Sequence, residues 1–559
     1  MEEALVALDL IFETSWEVCN KVGGIYTVLS TKAYTLNQLY GDKVVFIGPD
    51  VWSEEIKSKD FIECETDLDN WTKNVQLPYG IKVRTGRWDV PGKPMVILVK
   101  FDTLFSQNDS LYGEMWKEYG VDSLHSYGDY GEACAFSHGA AIVIESLYKH
   151  LFGNSKSANV IAHFDEWTTG MGLLYLKQNA SEIATIFTTH ATSIGRSICG
   201  NNKPLYGQMP NYNGDQMAGE LNMQSKHSLE KTAAHQADCF TTVSDITAIE
   251  CEQLLELRPH VVTPNGFESN FVPSARSFSP KKKKARKKLL EVAEHLTGEK
   301  FSDDTFLIAT SGRYEYRNKG IDVFLDALNS LRKRNLAKKV VAFLLIPGWV
   351  KDAREDLMKS LSDKSMAVSR LWEPIITHDL NNQNEDNILK RIHQLGLDRQ
   401  DGKLSVVFVP CYLDGSDGIL NMAYYDLLIG FDATVFPSYY EPWGYTPLES
   451  VAFGVPTITT SLSGFGQWIL STSENQFETC GVSVVGRGDY NYDEVVDNIT
   501  RSLVFLCDSD KTETKTIAKA AMKTASKASW EYFITYYVDA FKIALENRNK
   551  RKEQQTIKL

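Results

Sequence analysis

Two glutamates, Glu441 and Glu449, lie in the stretch 432–454 (DATVFPSYYEPWGYTPLESVAFG), whose loop Pro437–Tyr445 carries four aromatic residues, Tyr439, Tyr440, Trp443 and Tyr445. Carboxylates accept hydrogen bonds from sugar hydroxyls, and flat rings cover the apolar face of a sugar, so this pattern suits carbohydrate chemistry. The stretch reads as a strand (Ala433–Phe436), a loop (Pro437–Tyr445) and a helix (Pro447–Phe453). Thr446 falls at the expected N-cap, Pro447 at the first helical position and Gly454 just past the end. The free N–H groups of such a helix start hold an anion such as a phosphate, and Gly444 lets the backbone come close. Thr446-x-x-Glu449 is also a capping box, so Glu449 has two roles open to it: a ligand contact, or tying off its own helix.

Other residues point to the same chemistry. Arg313 and Lys319, in the segment SGRYEYRNKG after a predicted strand, are two cations able to neutralise a diphosphate, or else a surface pair. Gly23-Gly24, at a predicted strand-to-helix turn beside Lys21, allows a ligand to approach a helix N-terminus or is an ordinary βα turn. It is not a G-x-G-x-x-G, which argues against a nicotinamide cofactor. Two further strands end in polar clusters, HFDEW (163–167) and TTHATSIGR (188–196). His163 and Glu166 are spaced like a metal pair, but no third ligand follows at suitable spacing, so no metal site is expected.

These residues need a scaffold that brings strand ends together. Continuous apolar runs at Leu8–Glu13, Lys43–Ile47, Val96–Val99, Val160–His163, Ala184–Thr188, Cys239–Val243 and Val261–Thr263 predict one buried parallel sheet. Helices such as Ile25–Leu39 and Glu132–Tyr148 alternate with these strands. Phe306–Thr310, Val340–Ile346, Val406–Val409, Ala433–Phe436 and Thr457–Thr460 predict a second sheet. The expected class is therefore α/β with two Rossmann-like, doubly wound domains, in which ligands gather at the carboxyl ends of strands. Residues 350–400 read as an inserted, charged helical stretch that could make an oligomer contact. A long helix near Trp530–Glu546 closes the chain.

Composition narrows the classes. The 559 residues are 43% hydrophobic, enough for two to four domains with large cores. The formal charge of −13 argues against nucleic acid or an anionic membrane as the main partner. The run Lys281–Lys288 is isolated in an acidic chain and reads as a solvated helix face. Nine scattered cysteines without a C-x-x-C imply a reducing compartment and no disulfide framework. The N-terminus lacks the basic and apolar regions of a signal peptide, and no apolar run approaches the roughly 18 residues of a membrane span.

Specific words go further. FETSWEVCNKVGGIYTVLSTKA (12–33), HFDEW (163–167), IFTTHATSIGR (186–196), KTAAHQADCFTTVSDITAIE (231–250), PNG (264–266), GRYEYRNKG (312–320), FPSYYEPWGYTPLES (436–450) and SLSGFG (461–466) resemble, in order, the glycogen synthases of glycosyltransferase family 3. The resemblance implies a GT-B architecture, two Rossmann-like domains facing each other across a cleft. Residues 1–265 would form the acceptor-side domain, joined by the C-terminal helix at about 531–548. Residues 266–530 would form the nucleotide-sugar domain. It also implies retaining transfer of glucose from UDP-glucose to the 4-OH of a glycogen non-reducing end, in the cytoplasm, with no cofactor or metal.

By the same resemblance, Glu441 stands beside the donor glucose, Glu449 binds the ribose, and Arg313 and Lys319 hold the pyrophosphate. Lys21, Gly23 and Gly24 face the phosphates. His190 and Arg196 lie near the donor sugar and phosphate, and Glu166 lies on the acceptor side. Trp443, Gly444, Tyr445 and Thr446 complete the donor loop. Tyr424 or its neighbour Tyr425 stacks on the base. Expected partners are an α-1,4-glucan and further copies of the chain in a homo-oligomer, up to a tetramer; the need for a primer protein and the choice between UDP and ADP stay open.

Three departures from the family are visible. The stretch 509–530 has no arginine cluster; Lys511, Lys515, Lys519, Lys523 and Lys527 recur every four residues instead, as a solvated face or a surrogate anion site. Activation by glucose 6-phosphate is therefore not expected, nor is control through a phosphorylated serine-rich tail. Asp165 stands where many members have histidine. Competing readings are another retaining GT-B transferase of the sucrose or trehalose type, a non-catalytic glycogen-binding protein, and a pyridoxal-phosphate phosphorylase, the last disfavoured by chain length and lack of motif.

Overall fold

The computed structural model describes residues 5–52, 58–153, 157–363, 368–399 and 402–558. The chain forms two compact units. One comprises Met1–Asn201, Gln208–Glu268 and Ser529–Leu559; the other comprises Asn202–Gly207 and Ser269–Ala528.

The first unit is built on a nine-stranded sheet of β1 (Leu10–Thr14), β2 (Val44–Pro49), β3 (Phe61–Glu63), β4 (Lys82–Trp88), β5 (Met95–Lys100), β6 (Val160–Asp165), β7 (Ala184–Thr189), β8 (Cys239–Thr242) and β9 (Val261–Val262). The spatial order is β3-β4-β5-β2-β1-β6-β7-β8-β9. From β5 to β9 the strands are parallel, while β3 and β4 are antiparallel additions at one edge. All six residues of β2, β6 and β7 are buried, which is why they read as apolar runs without alternation. The last helix, Trp530–Lys558, belongs to this unit: Trp530 Nε1 donates to Thr31 Oγ1 at 2.8 Å, and Arg551 pairs with Asp238 at 2.9 Å. Gly266 is required there, because a Cβ would stand 2.7 Å from the Trp530 nitrogen.

The second unit carries a wholly parallel six-stranded sheet of β10 (Phe306–Ser311), β11 (Val340–Leu345), β14 (Leu404–Val409), β15 (Ala433–Val435), β16 (Thr457–Thr460) and β17 (Val482–Val485), in the order β14-β11-β10-β15-β16-β17. A separate antiparallel pair joins β12 (Val350–Ala353) to β13 (His378–Leu380).

Where strands were expected, they lie within two residues of the reading above. Three features differ. β3, β4 and β17 were not anticipated; the first two are short of apolar alternation because they form a half-exposed edge. The insertion 350–400 is not simply helical. It holds β12 and β13 as well as helices Glu355–Ser362 and Asn387–Leu395, because Val350–Ala353 pairs antiparallel with His378–Leu380 inside the same insertion. The lysine-rich run lies on helix Ala275–Thr297, where Arg286 pairs with Asp432 at 2.7 Å and Lys281 with Asp426 at 3.1 Å.

Among the parallel strands of each sheet the order reverses at one point: between β1 and β6 in the first unit, and between β10 and β15 in the second. The two connections at such a point diverge, leaving a crevice at the carboxyl ends of the strands. In the second unit it is held tight by backbone. Asn318 offers its carbonyl to the N–H groups of Tyr439 and Tyr440 at 2.8 and 3.0 Å. Gly320, at φ +67, has no room for a Cβ, which would run into the Pro437 carbonyl oxygen.

Gly320→Ala is therefore expected to destabilise the protein by about 2–4 kcal/mol. Gly113→Ala, inside helix Asn108–Tyr119 with open space around it, is expected to stabilise it by about 0.5–1 kcal/mol. Urea denaturation of the two variants checks both signs.

Candidate active site

In the second unit the chain after β10 turns through Arg313 and Lys319 before helix Ile321–Leu331, and the chain after β15 turns through Glu441 before helix Tyr445–Ala452. The clamp between Asn318 and Tyr439–Tyr440 sets these turns side by side. Lys319 Nζ lies 2.5 Å from Glu441 Oε2, with both side chains largely screened from solvent. Glu441 is held from the other side as well: its carbonyl accepts from Gly464 N–H at 3.1 Å, and the Trp443 carbonyl from Phe465 N–H at 2.7 Å. Arg313 is more exposed and pairs with Glu315 at 3.2 Å. A cation and a carboxylate held in contact at a strand end can serve two parts of one ligand, the cation an anionic leaving group and the carboxylate the hydroxyl donors of a sugar.

The helix after Glu441 begins two residues earlier than the sequence suggests. It starts at Tyr445, with Gly444 as N-cap at φ 110 and no side-chain cap. Thr446 is therefore not the N-cap, and Glu449 does not close a capping box. Glycine at 444 turns the chain sharply; a Cβ there would press on Pro447 Cγ at 3.1 Å and Glu441 Cγ at 3.4 Å. Pro447 still costs nothing, since its missing N–H would be among the unbonded donors of the first turn. Glu449 instead is buried and accepts from Tyr425 Oη at 2.7 Å. The ring of Tyr425 stacks on Phe453 at 5.3 Å, which makes it a support for Glu449. The Tyr424 ring lies 5.6 Å from that of Tyr425, and the Tyr424 hydroxyl is 2.9 Å from Ser311 Oγ at the end of β10. Trp443 is buried edge-on against Phe465, and Tyr445 and Thr446 line the first turn of the helix.

One residue here escaped the sequence reading. Arg487, past β17, bonds the Pro437 carbonyl and lies over the Tyr439 ring at 5.4 Å, while Arg317 lies over the same ring at 5.2 Å. Burial pulls the Arg487 guanidinium below its ordinary value, with Asp322 opposing. Only the missed strand β17 places it, so nothing local marked it.

In the first unit, Gly23-Gly24 leads into helix Gly24–Tyr40, as its position suggests, but the helix start is occupied from within. Glu17 Oε2 accepts from Gly23 N–H at 2.6 Å and Tyr26 N–H at 2.9 Å. A carboxylate and a phosphate seek the same donors, so the N–H groups expected to face a phosphate are here held by the chain's own acid. Lys21 is exposed, 5.4 Å from the Tyr26 ring centroid.

Glu166, His190 and Arg196 come together past β6 and β7. His190 N–H donates to Glu166 Oε1 at 2.9 Å, and His190 Nε2 lies 2.8 Å from Asp165 Oδ1. Burial raises the Glu166 carboxyl above its ordinary value, against the charges of His190 and Arg196. Glu166 also holds a positive φ of 68°, a strained conformation for a non-glycine residue. Arg196 sits on helix Ser193–Gly200, whose start is capped by Thr192 accepting from Gly195 N–H at 3.0 Å. Glu230, also missed, lies beneath: it accepts from Ser193 N–H at 2.9 Å and Oγ at 2.7 Å, and burial followed by the Glu166 charge pushes its carboxyl up to about 8.

Glu13, His163 and Asp165 bring ligand-type atoms within 4.8 Å of one another. Protein cations already hold that charge, Lys32 on Glu13 at 2.9 Å and His190 on Asp165. Glu166 lies outside this cluster.

A carboxyl raised in the folded state contributes stability that is present below about pH 4.5 and lost as pH rises through 8. Glu230→Gln removes that loss. It should match the parent near pH 4.5 and exceed it by roughly 2–4 kcal/mol at pH 9, read by urea denaturation across the range.

Comparison with known proteins adds the following. The family model described as "Glycogen synthase" matches residues 13–369 and 353–558. The chain is 30% identical to the liver glycogen [starch] synthase of Mus musculus over 596 residues, covering 96% of this chain and 83% of that protein. It is 30% identical to glycogen [starch] synthase isoform 2 of Saccharomyces cerevisiae over 617 residues, covering 96% and 86%. Among solved structures, the catalytic domain of starch synthase IV from Arabidopsis thaliana, bound to ADP and acarbose, aligns with a TM-score of 0.59 at 12% identity, covering 97% of this chain and all of that one. A trehalose-6-phosphate enzyme of E. coli bound with UDP-2-fluoro glucose aligns at 0.53 and 11% identity, covering 95% and 98%. At these identities the structural likeness is one of fold, the GT-B class of α/β glycosyltransferases.

Proposed function

Because the chain belongs to the glycogen synthase family and is a glycosyltransferase, we propose that it transfers glucose from UDP-glucose to the 4-OH of a glucan non-reducing end, with retention of the α configuration. The observation that carries this reading is the Lys319–Glu441 contact at the carboxyl ends of β10 and β15, next to the helix starting at Tyr445. On the donor's arrival Lys319 and Arg313 neutralise the diphosphate, and the first-turn N–H groups of helix Tyr445–Ala452 add to that field. Two side-chain cations thereby take the part that a metal plays in other transferases, and no metal or cofactor is needed.

Glu441, released from Lys319, accepts the donor's hydroxyls and stabilises positive charge as the anomeric carbon becomes oxocarbenium-like. No carboxylate is assigned as a nucleophile. The acceptor hydroxyl attacks on the face the UDP leaves, and the departing phosphate oxygen takes its proton. Glu449 binds the ribose, its carboxylate oriented by Tyr425, and Tyr424 meets the base. Glu166, His190 and Arg196 serve the sugar and acceptor. Trp443 acts as a buried support for Glu441.

The protein works in a reducing compartment, the cytoplasm, as a homo-oligomer; nine free cysteines, eight of them buried, support the first. Among the described residues no helix is long and apolar enough to cross a membrane. The five lysines of helix Lys511–Lys527 are all exposed and form no ion pair among the described residues, which supports a solvated face and an enzyme indifferent to glucose 6-phosphate.

Radiolabelled UDP-glucose incubated with glycogen tests this reading. Label should enter the polymer, with maltose a poorer acceptor and sugar phosphates inert, and glucose 6-phosphate should change the rate less than twofold. Glu441→Gln should lower kcat at least a hundredfold, about 2.7 kcal/mol in barrier, with unchanged thermal unfolding. A folded Glu441→Gln protein at full rate would overturn the assignment.

A further inference from the structure

His190 is held in an unusual way. Its Nε2 lies 2.8 Å from Asp165 Oδ1, and its own N–H is fixed to Glu166. Among the described residues its Nδ1 has no protein partner. Asp165 is itself fully enclosed, and its Oδ2 meets no donor. A carboxylate buried with one oxygen unsatisfied is costly, and a cation on the other oxygen repays that cost. Here the ring of His190 meets that oxygen.

The arrangement behind Asp165 makes this pairing directional. On β1, Glu13 is taken by Lys32, whose ammonium also stands 4.5 Å from the Tyr537 ring centroid. His163, paired in register with Glu13 across β1 and β6, turns its Nε2 to Thr188 Oγ1 at 2.6 Å. Its Nδ1 is 3.1 Å from Glu13 Oε2 but out of line for a hydrogen bond. Lys32 thus takes Oε2 of Glu13, whose Oε1 meets no donor, and the side chain within hydrogen-bond distance of Asp165 is His190.

The groups facing His190 are Asp165 and Glu166 from the end of β6 and Lys32 from helix Gly24–Tyr40; Arg196 of helix Ser193–Gly200 joins them through Glu166. Burial disfavours the imidazolium, and Lys32 adds to that, but the Asp165 hydrogen bond and the two carboxylate charges prevail and raise His190 above its ordinary value. Asp165 is pulled down to about 2 by His163 and His190 against its own burial.

We propose that Asp165 is a positioning residue for His190: it locks the ring through Nε2 and keeps it an imidazolium, so that Nδ1–H is presented to the substrate as a charged donor. A neutral histidine could offer Nδ1 as donor only in one tautomer, and Nε2 would then be an acceptor facing a carboxylate. Asp165 removes that ambiguity. A charged donor meets the negative donor nucleotide or a sugar oxygen more strongly than a neutral one. This inference rests on the proposed role of His190 at the donor sugar.

The test uses the full chain with isotope-labelled histidine, the His190 signal being assigned by its loss in His190→Asn. The His190 midpoint in the unaltered protein should lie above the ~6.5 of a free imidazole. Asp165→Asn should lower it by more than one pH unit. In the UDP-glucose and glycogen assay, the alkaline limb of kcat should move to lower pH with it. A drop of at least tenfold in kcat is expected at pH 8 and less than threefold at pH 6, with KM for UDP-glucose changed less than kcat. Asp165→Glu should restore a midpoint above that of Asp165→Asn.

An unmoved midpoint in folded Asp165→Asn overturns the proposal, as does a loss of kcat equal at both pH values. If that variant does not fold, the unaltered protein decides: a midpoint at or below ~6.5 overturns the proposal as well. Should the unaltered chain transfer no glucose at all, the functional reading fails, while the midpoints still report whether Asp165 controls His190.

Discussion

The backbone contact between two loops sets the Lys319–Glu441 pair of the second unit. Lys319 and Glu441 are separated by more than a hundred residues, and two flexible side chains of opposite charge gain little by meeting in water. They stay together because the segments that bear them are joined independently of charge. The Asn318 carbonyl accepts from two successive N–H groups, and Gly320 leaves space for the Pro437 carbonyl. Arg487 closes the same carbonyl from the far side. The entropy of bringing cation and carboxylate together is thus met by backbone and packing.

The first unit solves a different problem. It encloses Glu13, Lys32, His163 and Asp165 almost completely. Desolvating so many charges is expensive, and pairing only partly repays it. Orphaned oxygens on Glu13 and Asp165 and the positive φ of Glu166 show that the arrangement is not a stability optimum. Such features persist where the surrounding sheet over-determines them, and here they sit beside the strand-order reversal where a ligand would gather. The carboxyls of Glu166 and Glu230, both raised above their ordinary value by burial, belong to the same pattern.

The sequence and the fold meet unevenly. Strands such as Val160–Asp165 and Val340–Leu345 were legible because burial on both faces writes a continuous apolar run. β3 and β4 were not, since an edge strand needs no such run. Helix starts were legible only to a turn. Thr446 looked like a cap by type, but the positive φ at Gly444 started the helix earlier and left Glu449 to Tyr425. The turn at Gly23-Gly24 was recognised, whereas its occupation by Glu17 was not, because any acid a few residues upstream could have pointed elsewhere.

Residue types and their order were enough to indicate an α/β chain of two doubly wound sheets and its family, and to mark the strand ends where candidate residues gather. Those properties are local: apolar period, turn-forming glycine, and clusters of acids, cations and rings at strand ends. Which strand neighbours which, and therefore which side chain holds which, was decided only in three dimensions. The Lys319–Glu441 contact, the Tyr425 support of Glu449 and the hold of Asp165 on His190 all join residues whose separation along the chain carries no signal. Hydrogen bonds act over about 3 Å, and only the packed sheet brings such atoms that close.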